Sequence, residues 1–432
     1  MPLSVYRHLT GISAPFLTLL LKSRLKKGKE DAKRWTEKTG KASLPRPKGS
    51  LIWLHAASVG EMQSSLILID KLLETSPDLH ILVTSGTVTS ANLLAEKLPE
   101  RTFHQYAPLD HPAWITQFLD YWRPDLALRI ESELWPNSLL MLKERGIPSL
   151  LINARLSASS FNKWKTFKSS VTEMLGTFDL ILCQTKKDAD YYRELGADAS
   201  GLYVTGNLKY SAQPLPCDPT RLKSMKSRFE ERPGWVYAST HFDEESLAAR
   251  VHERLKKDIP GILTVIVPRH PERGDDIETV LSRFSSLKIL RRGEDKIPPR
   301  ADTDIYLADT LGELGLFYRL APIACIGRSF SADGGGGHNP LEPAQLGATV
   351  LHGPHVQNLQ ALYDDMKEED AAIALHSEED LYRALKKLLT DPSHLEDLRA
   401  KAEDFAKAQT GIIDIVLDHL HPFLPNQMDD AA

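Results

Sequence analysis

The feature that most constrains this sequence is a regular alternation of short apolar runs with longer amphipathic stretches. The apolar runs in the first half have the length and composition of buried β-strands, and they cover 51–56, 80–86, 125–131, 149–154, 179–185 and 202–207. Helical patterns lie between them, for example 60–74, 87–98 and 114–121. Because strand–helix–strand connections place successive strands parallel, this half predicts an α/β domain with a parallel sheet.

The alternation stops at a polar segment and then starts again. Residues 211–234 include four prolines and predict an interdomain linker. Apolar runs resume at 235–240, 262–268, 287–292, 304–309, 323–327 and 349–353. We therefore predict an N-terminal segment (1–48), a first α/β domain (49–210), the linker (211–234) and a second α/β domain with terminal helices (235–432). Ligands are expected at the carboxyl ends of the strands, in a cleft between the domains.

The N-terminal segment differs from the rest of the chain in charge. The 432 residues carry a net charge of −5, but residues 1–50 alone hold 12 Lys and Arg against 3 Asp and Glu. The apolar run at 9–21 falls short of the roughly 20 residues that span a bilayer, and most of its basic residues follow it, unlike in a signal peptide. Two interpretations stay open: an interfacial anchor on an anionic membrane surface, or an ordinary first helix with a solvated basic face. The acidic remainder argues against nucleic-acid binding.

Three motifs in the first domain place charged residues just after predicted strands. In HAASVGE (55–61), Glu61 falls in the first turn of a helix, where Ser58 and Glu61 also match a capping box. In RIESELWP (129–136) we expect one of two carboxylates to face the cleft, and Glu131 is preferred over Glu133. In VTGNLKY (204–210), Lys209 is either a surface lysine or a cation that stabilises a leaving phosphate.

The second domain carries four further motifs at strand ends, at 238–241, 267–273, 309–314 and 334–343. Arg269 supplies a donor suited to phosphate, and the DTLGEL motif opens a helix whose N–H groups could hold a phosphate or a base. Glu342 could accept hydrogen bonds from ribose hydroxyls. Each motif alone is compatible with a solvated loop, but four in one domain indicate a nucleotide site.

Several common site patterns do not occur in this sequence. The glycine run at 334–337 lacks a following Lys-Ser/Thr, and there is no strict G-x-G-x-x-G and no G-x-S-x-G. The histidines lack the spacing of metal ligands with companion carboxylates. We therefore expect neither a metal nor a cofactor.

The ordered motif series resembles that of bacterial transferases of 3-deoxy-D-manno-oct-2-ulosonic acid (Kdo). The resemblance runs from about Trp35 to Leu359, and it is carried by HAASVGE, ESELWPN, NARLS, GNLKY, STH, PRHPER, DTLGEL and GGHNPLEP. It implies a GT-B fold with two Rossmann-like domains, and an inverting, metal-independent transfer of Kdo from CMP-Kdo to a lipid A precursor (lipid IVA). It further implies a position on the cytoplasmic face of the bacterial inner membrane, in lipopolysaccharide biosynthesis.

The resemblance also assigns roles to residues. Glu61 would be the general base, a role that can coexist with capping, and Glu131 and Lys209 would stabilise the transition state. The CMP moiety would contact three groups of residues: Pro268 and Arg269; Gly312, Glu313 and Leu314; and Asn339, Pro340, Leu341 and Glu342.

The sequence departs from the family pattern in three places. Ser211 stands where the family usually has Asp after GNLKY. Gly327-Arg328-Ser329 replaces the usual Gly-Gly-Ser, which would bring a guanidinium near the donor, and the later glycine run is longer than usual.

Two other classes of function remain as alternatives. One is a different GT-B enzyme, such as a nucleotide-sugar epimerase or another glycosyltransferase, and the other is a membrane-bound nucleotide sensor without activity. The number of Kdo residues transferred, the acceptor's acyl and phosphate pattern and the oligomeric state are not encoded in any of these motifs.

Overall fold

A computed structural model describes residues 2–211, 213–230, 232–331 and 333–425. These residues form two compact units, one containing residues 2–211 with 409–425 and the other containing the described residues of 213–408. Each unit contains a seven-stranded, fully parallel β-sheet with α-helices packed against it. The predicted fold class, two Rossmann-like α/β units, is confirmed.

The first sheet has the strand order β3-β2-β1-β4-β5-β6-β7 and the second has the order β10-β11-β9-β8-β12-β13-β14. The strands of the first unit are β1 Leu51–His55, β2 His80–Ser85, β3 Thr102–Tyr106, β4 Leu126–Ile130, β5 Ser149–Ala154, β6 Leu180–Cys183 and β7 Leu202–Val204. Those of the second are β8 Gly234–Thr240, β9 Leu263–Pro268, β10 Ile289–Arg291, β11 Ile305–Leu307, β12 Ile323–Ile326, β13 Thr349–His352 and β14 Ala372–Ala374.

The helices cover both faces of each sheet. In chain order they are α1 Leu3–Gly11, α2 Ala14–Lys26, α3 Val59–Thr75, α4 Val88–Lys97, α5 Pro112–Trp122, α6 Pro136–Glu144, α7 Ala158–Thr166, α8 Lys168–Leu175, α9 Lys186–Glu194, α10 Pro219–Glu230, α11 Glu244–Asp258, α12 Gly274–Leu281, α13 Leu314–Leu320, α14 Leu341–Ala344, α15 Gln360–Glu368, α16 Glu378–Thr390, α17 Pro392–Thr410 and α18 Ile412–Leu420.

The direction of strand addition reverses once in each sheet. In the first sheet β1 lies between β2 and β4, so the chain builds outward from β1 in one direction and then in the other. In the second sheet β8 lies between β9 and β12 in the same way. Such a reversal leaves a crevice at the carboxyl ends of the two strands, because their following helices go to opposite faces. The motifs after β1, β4, β8 and β12 therefore lie at the two places where α/β sheets bind ligands.

All twelve strands predicted from apolar runs are present, with ends trimmed by a few residues. Two strands, β3 and β14, were not predicted. The sequence of β3, Thr-Phe-His-Gln-Tyr, is too polar to resemble a buried strand. In the structure Gln105 accepts a hydrogen bond from the Trp122 indole (3.1 Å), and His104 pairs with Ser85 (2.9 Å). A sequence with several polar residues does not predict a buried strand, but here residues distant in sequence satisfy those polar groups.

The N-terminal segment is an integral part of the first unit. Glu37 is fully buried, and its carboxylate accepts hydrogen bonds from the Tyr106 backbone N–H (2.7 Å) and from Arg34 (2.8 Å). Lys38 is also buried; it pairs with Glu30 and donates to the carbonyl of Gly86 (2.9 Å). The described residues contain no helix with the length and apolar character needed to cross a membrane.

The boundaries predicted for the linker and the second domain differ from the structure. Residues 219–230 form α10, whose Met225 and Phe229 are buried in a core cluster of the second unit. At the other end, α18 belongs to the first unit, where Ile413 and Val416 pack into the core under its sheet. The polar composition of 211–234 concealed an amphipathic helix, and the apolar face of α18 carries no local sign of which sheet it covers.

Candidate functional site

Glu61 caps the helix that follows β1 and keeps its carboxylate in a partly desolvated place. Its own N–H donates to the Ser58 hydroxyl (3.3 Å), while its carboxylate accepts from the Ala57 N–H (2.8 Å) and from the Ser58 hydroxyl (2.9 Å). The Ser58 half of the capping box is therefore formed, while the Glu61 carboxylate binds the N–H of Ala57, one residue before the N-cap. Burial raises the pKa of Glu61 above its usual range, and the charges of Glu131 and Glu133 add to this. A carboxylate with a raised pKa is a stronger base near neutral pH, as a proton acceptor requires.

Glu131 and Lys209 form an ion pair at the edge of the same sheet. The Lys209 ammonium donates to Glu131 Oε1 at 2.7 Å, although 78 residues separate them. Glu131 has a left-handed backbone with φ of 60°, unusual for a side chain of this kind. The turn that carries Lys209 is held by Asn153, whose side-chain oxygen accepts from the Leu208 N–H (3.0 Å). The charge of Glu131 contributes to the raised pKa of Glu61, so Glu61 lies close to the Glu131–Lys209 pair.

Glu133, which the sequence analysis placed second to Glu131, has its own set of partners. Its Oε2 accepts from the Trp135 indole N–H and lies 3.4 Å from His55 Nε2. These donors hold the pKa of Glu133 below its usual value against the opposing effect of burial. The two carboxylates of RIESELWP thus have separate partners, and both are engaged. His55 was missed because a strand histidine resembles any core residue.

In the second unit, residues that follow β8, β9 and β12 form a cationic cluster, in which Arg269 and Arg328 carry the positive charge. His241 Nε2 lies 3.2 Å from His338 Nε2, and the rings of His241 and His270 are 5.8 Å apart. Burial lowers the pKa of His338 to about 4, and the nearby charges of Arg269 and Arg328 act in the same direction. These side chains present donors and positive charge of the kind that bind phosphate.

A buried carboxylate, Glu244, organises the backbone of this cluster. It accepts hydrogen bonds from the N–H groups of His241 (2.9 Å), Arg328 (2.7 Å), Ser329 (3.1 Å) and Phe330 (3.0 Å). It therefore ties the loop after β8 to the loop after β12. Sequence reasoning missed Glu244 because it stands in the first turn of a helix, where acidic residues are common.

Two of the three predicted CMP-contacting groups adjoin the cationic cluster. Pro268 ends β9 and is buried, while Arg269 is exposed and its N–H donates to the carbonyl of Thr240 (3.1 Å). Asn339, Pro340 and Leu341 lead into α14, where Asn339 caps the Leu341 N–H (3.1 Å). Burial raises the pKa of Glu342, and the charge of Arg269 opposes that shift, which places Arg269 near Glu342.

The third predicted group, Gly312-Glu313-Leu314, forms a different arrangement. It lies at the start of α13 as expected, but the Glu313 carboxylate is buried and binds Arg292 through two hydrogen bonds (2.7 and 2.9 Å) and Arg221 through one (2.9 Å). The pKa of Glu313 falls to about 2, because these donors outweigh the effect of burial. Its side chain is committed to an internal ion pair, which leaves the helix start as the part that can face a ligand.

The three departures from the family pattern have distinct structural settings. Arg328 has φ of 57°, a left-handed conformation that favours glycine. Ser211 is buried, and its hydroxyl donates to the backbone carbonyl of Gln409 (3.2 Å). In the glycine run, Gly336 has φ of 126°, and a Cβ there would lie 2.1 Å from the Asn358 side chain. Among the described residues, no group of three His, Cys, Asp or Glu side chains is arranged to hold a metal ion.

Comparisons with solved structures identify the fold. A UDP-GlcNAc 2-epimerase from Neisseria meningitidis superposes with a TM-score of 0.54 at 13% identity, covering 86% of this chain and 99% of that one. A glycosyltransferase from Rickettsia africae superposes with a TM-score of 0.51 at 12% identity, covering 88% and 100%. These identities show the fold alone, and they agree with the predicted GT-B architecture.

Sequence comparisons identify the family. A model described as "3-Deoxy-D-manno-octulosonic-acid transferase (kdotransferase)" matches residues 33–212. The 3-deoxy-D-manno-octulosonic acid transferase of Rickettsia bellii is 32% identical over 426 residues, 98% of this chain and 99% of the relative. That of Haemophilus influenzae is 33% identical over 387 residues, 89% of each chain. Together with the two-unit fold and the matching motifs, these relatives show that the chain belongs to the Kdo transferase family of glycosyltransferases.

Proposed function

We propose that this chain transfers Kdo from CMP-Kdo to a lipid A precursor, lipid IVA, with inversion and without a metal ion. The observation that carries the proposal is Glu61, a carboxylate of raised pKa beside the Glu131–Lys209 pair at the strand reversal of the first sheet. Activation of a sugar hydroxyl needs such a base, and the family relationship supplies the transferred sugar.

The proposed reaction is a single displacement. Glu61 takes the proton of an acceptor hydroxyl as its oxygen bonds to the anomeric carbon of Kdo, while the bond from that carbon to the CMP phosphate breaks. Attack opposite to the leaving phosphate inverts the anomeric centre. The CMP phosphate leaves as a stable anion and needs no strong general acid, but it does need positive charge and N–H donors.

The donor is proposed to bind in the second unit. The arginines at 269 and 328 supply positive charge at the strand ends, and the histidines at 241, 270 and 338 supply hydrogen-bond donors. Glu342 supplies an acceptor for ribose hydroxyls. Arg269 and Arg328 are proposed to offset the charge of the departing phosphate, and Lys209, in the first unit, is proposed to stabilise the transition state. Pro268, Asn339, Pro340, Leu341 and the corner at 312–314 are proposed to shape the rest of the CMP site.

The acceptor is a lipid, and we further propose that the enzyme works at the cytoplasmic face of the inner membrane. Helices α1 and α2 and the turn between them carry large exposed apolar side chains, among them Ile12, Phe16 and Leu19. Basic residues follow at once, from Lys22 to Lys29. An exposed apolar surface beside a basic one is the composition of helices that lie in the headgroup region of anionic bilayers.

The direct test is an assay of the full chain with CMP-Kdo and a tetraacylated disaccharide lipid in anionic vesicles. We expect a Kdo-lipid product and CMP, the same rate in the presence of EDTA, and inversion at the anomeric carbon. UDP-GlcNAc in place of CMP-Kdo tests the epimerase alternative, which requires no acceptor. Turnover of UDP-GlcNAc alone, or CMP binding without any transfer, would contradict the proposal.

A further inference from the structure

A pocket lies in the first unit, at the carboxyl ends of β1 to β4. Its cavity volume is about 100 Å³, and its mostly apolar lining comes from residues that follow or end these strands, with walls from α5, α6 and Lys38. Ala57, whose N–H holds the Glu61 carboxylate, is one of the lining residues. The pocket adjoins the proposed base, and a mostly apolar lining with a few placed polar groups is typical of small-molecule sites.

The inner part of this pocket contains a guanidinium with spare hydrogen-bonding capacity. Arg129 is 2% exposed, stacks on the Trp53 ring at 4.2 Å and donates to the Ser138 hydroxyl. Its Nε has no partner among the described residues, and none of their carboxylates lies within 4 Å of its nitrogens. Buried donors are normally satisfied, so an unsatisfied one on a residue that lines a pocket indicates a polar ligand or water nearby.

Glu133 supplies a negatively charged hydrogen-bond acceptor in the same pocket as the Arg129 donor. The Trp53 indole donates to the Thr84 hydroxyl (2.9 Å), which lies 2.9 Å from His55 Nδ1. His55 Nε2 faces Glu133 Oε2 at 3.4 Å, so the tautomer with its proton on Nε2 makes His55 a hydrogen-bond donor to Glu133. Burial lowers the pKa of His55, so this donor is neutral and Glu133 remains an anion. Both protein donors reach Oε2, which leaves Oε1 as an acceptor without a donor among the described residues.

The remaining charged groups of the pocket are already paired. Asp110 accepts from the N–H groups of Asn137 (3.0 Å) and Ser138 (2.9 Å) and from the Tyr6 hydroxyl (3.1 Å). Lys38 is paired with Glu30. The pocket therefore offers one free cationic donor and one free anionic acceptor, a combination that suits a neutral ligand with several hydroxyls better than an ion of either sign.

An indole completes the pocket. Trp135 lines it, yet it is 44% exposed and has its N–H engaged with Glu133. An exposed aromatic face fixed by a hydrogen bond at its edge provides a rigid apolar platform next to polar groups. Sugar rings present an apolar face of C–H groups bordered by hydroxyls, and they match such a platform.

We propose that this pocket is the subsite for a sugar ring of the acceptor, with the ring on Trp135 and its hydroxyls bonded to Arg129 and Glu133. The inference rests on the proposed function, because it names where the acceptor sugar is held when its hydroxyl meets Glu61. In these roles Trp135, Arg129 and Glu133 are acceptor-binding residues, and His55 is a positioning residue that acts through Glu133.

The test compares Trp135→Ala with Phe167→Ala in the full chain. Phe167 has a similar exposure (48%) in the same unit but does not line the pocket. We expect Trp135→Ala to raise the KM for the lipid acceptor roughly tenfold or more, corresponding to about 1.4 kcal/mol, and to leave the KM for CMP-Kdo unchanged. Trp135→Phe should recover most of the loss, and Phe167→Ala should match the wild type.

A binding measurement keeps this inference separate from the reaction. The deacylated disaccharide of the acceptor, titrated calorimetrically into the wild type, should bind, and both Trp135→Ala and Arg129→Met should weaken it with unchanged unfolding midpoints. If the wild type makes no Kdo-lipid yet shows this pattern, the proposed reaction fails and the subsite stands. If the wild type is active but Trp135→Ala matches Phe167→Ala in acceptor KM and disaccharide affinity, the subsite is wrong. A Trp135→Ala enzyme with equal KM increases for both substrates would also overturn it.

Discussion

Lys209 and Glu131 meet at 2.7 Å although 78 residues separate them, because the turn after β7 and the end of β4 lie at the same edge of one parallel sheet. The pair neutralises part of the negative charge that surrounds Glu61. Glu131 itself has a left-handed backbone, a conformation that costs about 1–3 kcal/mol and needs support from its surroundings. This relationship makes the two residues a unit, so substitutions at either position are expected to be non-additive.

Replacing Glu61 should separate its two roles. Glu61→Gln keeps an acceptor oxygen for the Ala57 N–H but cannot take a proton, so kcat should fall about 10²–10⁴-fold with little change in the unfolding midpoint. The matched control is Ser58→Ala, which removes the cap at a cost of about 0.5–2 kcal/mol and leaves the base. Steady-state kinetics and thermal unfolding check both variants. Equal loss of activity in Glu61→Gln and Ser58→Ala would show that the motif serves folding only.

The pH dependence should report the environment of Glu61. Burial and the neighbouring carboxylates raise its pKa, and the reaction needs its ionised form, so kcat/KM should fall as the pH drops through that raised pKa. Glu131→Gln removes a negative neighbour and should move this acidic limb to lower pH, even as it lowers kcat. The profile of kcat/KM against pH for both enzymes measures the shift. An unshifted limb, or a shift to higher pH, would contradict the electrostatic coupling.

The ion pair of Glu313 and Arg292 should stabilise the second unit. Glu313→Ala leaves a buried guanidinium with fewer partners and should lower the free energy of unfolding by about 3–5 kcal/mol, measured by denaturant titration. Because the pKa of Glu313 is lowered to about 2, its stabilising contribution is present above its unfolded pKa and is lost as the pH falls toward about 2. The same titration on the variant should show a weaker pH dependence in that range. Identical slopes in both proteins would exclude this contribution.

The substitution Arg328→Gly should have little effect on the stability of the fold. The left-handed backbone disfavours Arg by about 1–2 kcal/mol, whereas glycine gains flexibility in the unfolded chain, so Arg328→Gly should change stability by only about 1 kcal/mol or less. The hydrogen bond from its N–H to Glu244 is retained. If the guanidinium binds the donor, the KM for CMP-Kdo should rise in Arg328→Gly while the KM for the acceptor stays constant. A donor KM equal to that of the wild type would remove Arg328 from the donor site.

Membrane binding should depend on the exposed apolar residues of α2. Phe16 and Leu19 are 68% and 67% exposed and lie one turn apart, so Phe16→Ser with Leu19→Ser should weaken sedimentation with anionic vesicles without unfolding the protein. The matched control is Ile415→Ser, an exposed apolar residue elsewhere in the same unit. Added salt should weaken binding of the wild type further. Equal partitioning of the double variant and the control would show that the segment is only a solvated face.

Deletion of residues 1–34 would test membrane binding less cleanly, because it also removes partners of buried residues. It removes Glu30, the partner of buried Lys38, and Arg34, a donor to buried Glu37. Breaking buried pairs of this kind costs about 3–5 kcal/mol each, so lost binding could not be separated from lost folding. The point variants leave this network intact.

The local sequence pattern predicted most strands and helices, but it missed those that depend on contacts with residues distant in sequence. The apolar runs predicted twelve strands, and the capping box at Ser58 and Glu61 predicted the start of α3. The same reasoning failed for β3, whose buried polar groups are satisfied only by residues distant in sequence. It also failed for α10, because a polar, proline-containing segment resembles a linker until its apolar face is seen against the second unit.

The sequence by itself determined the alternation of strands and helices, the chemical groups at the strand ends and, through the ordered motifs, the family. Only the tertiary structure decided which of these groups meet. In the structure Glu131 pairs with Lys209, and Glu133 contacts His55 and Trp135. Glu313 pairs with Arg292, and the N-terminal segment packs into the first unit. The physical reason is that a parallel sheet gathers the carboxyl ends of strands in an order set by packing and chain reversal, which no local pattern encodes.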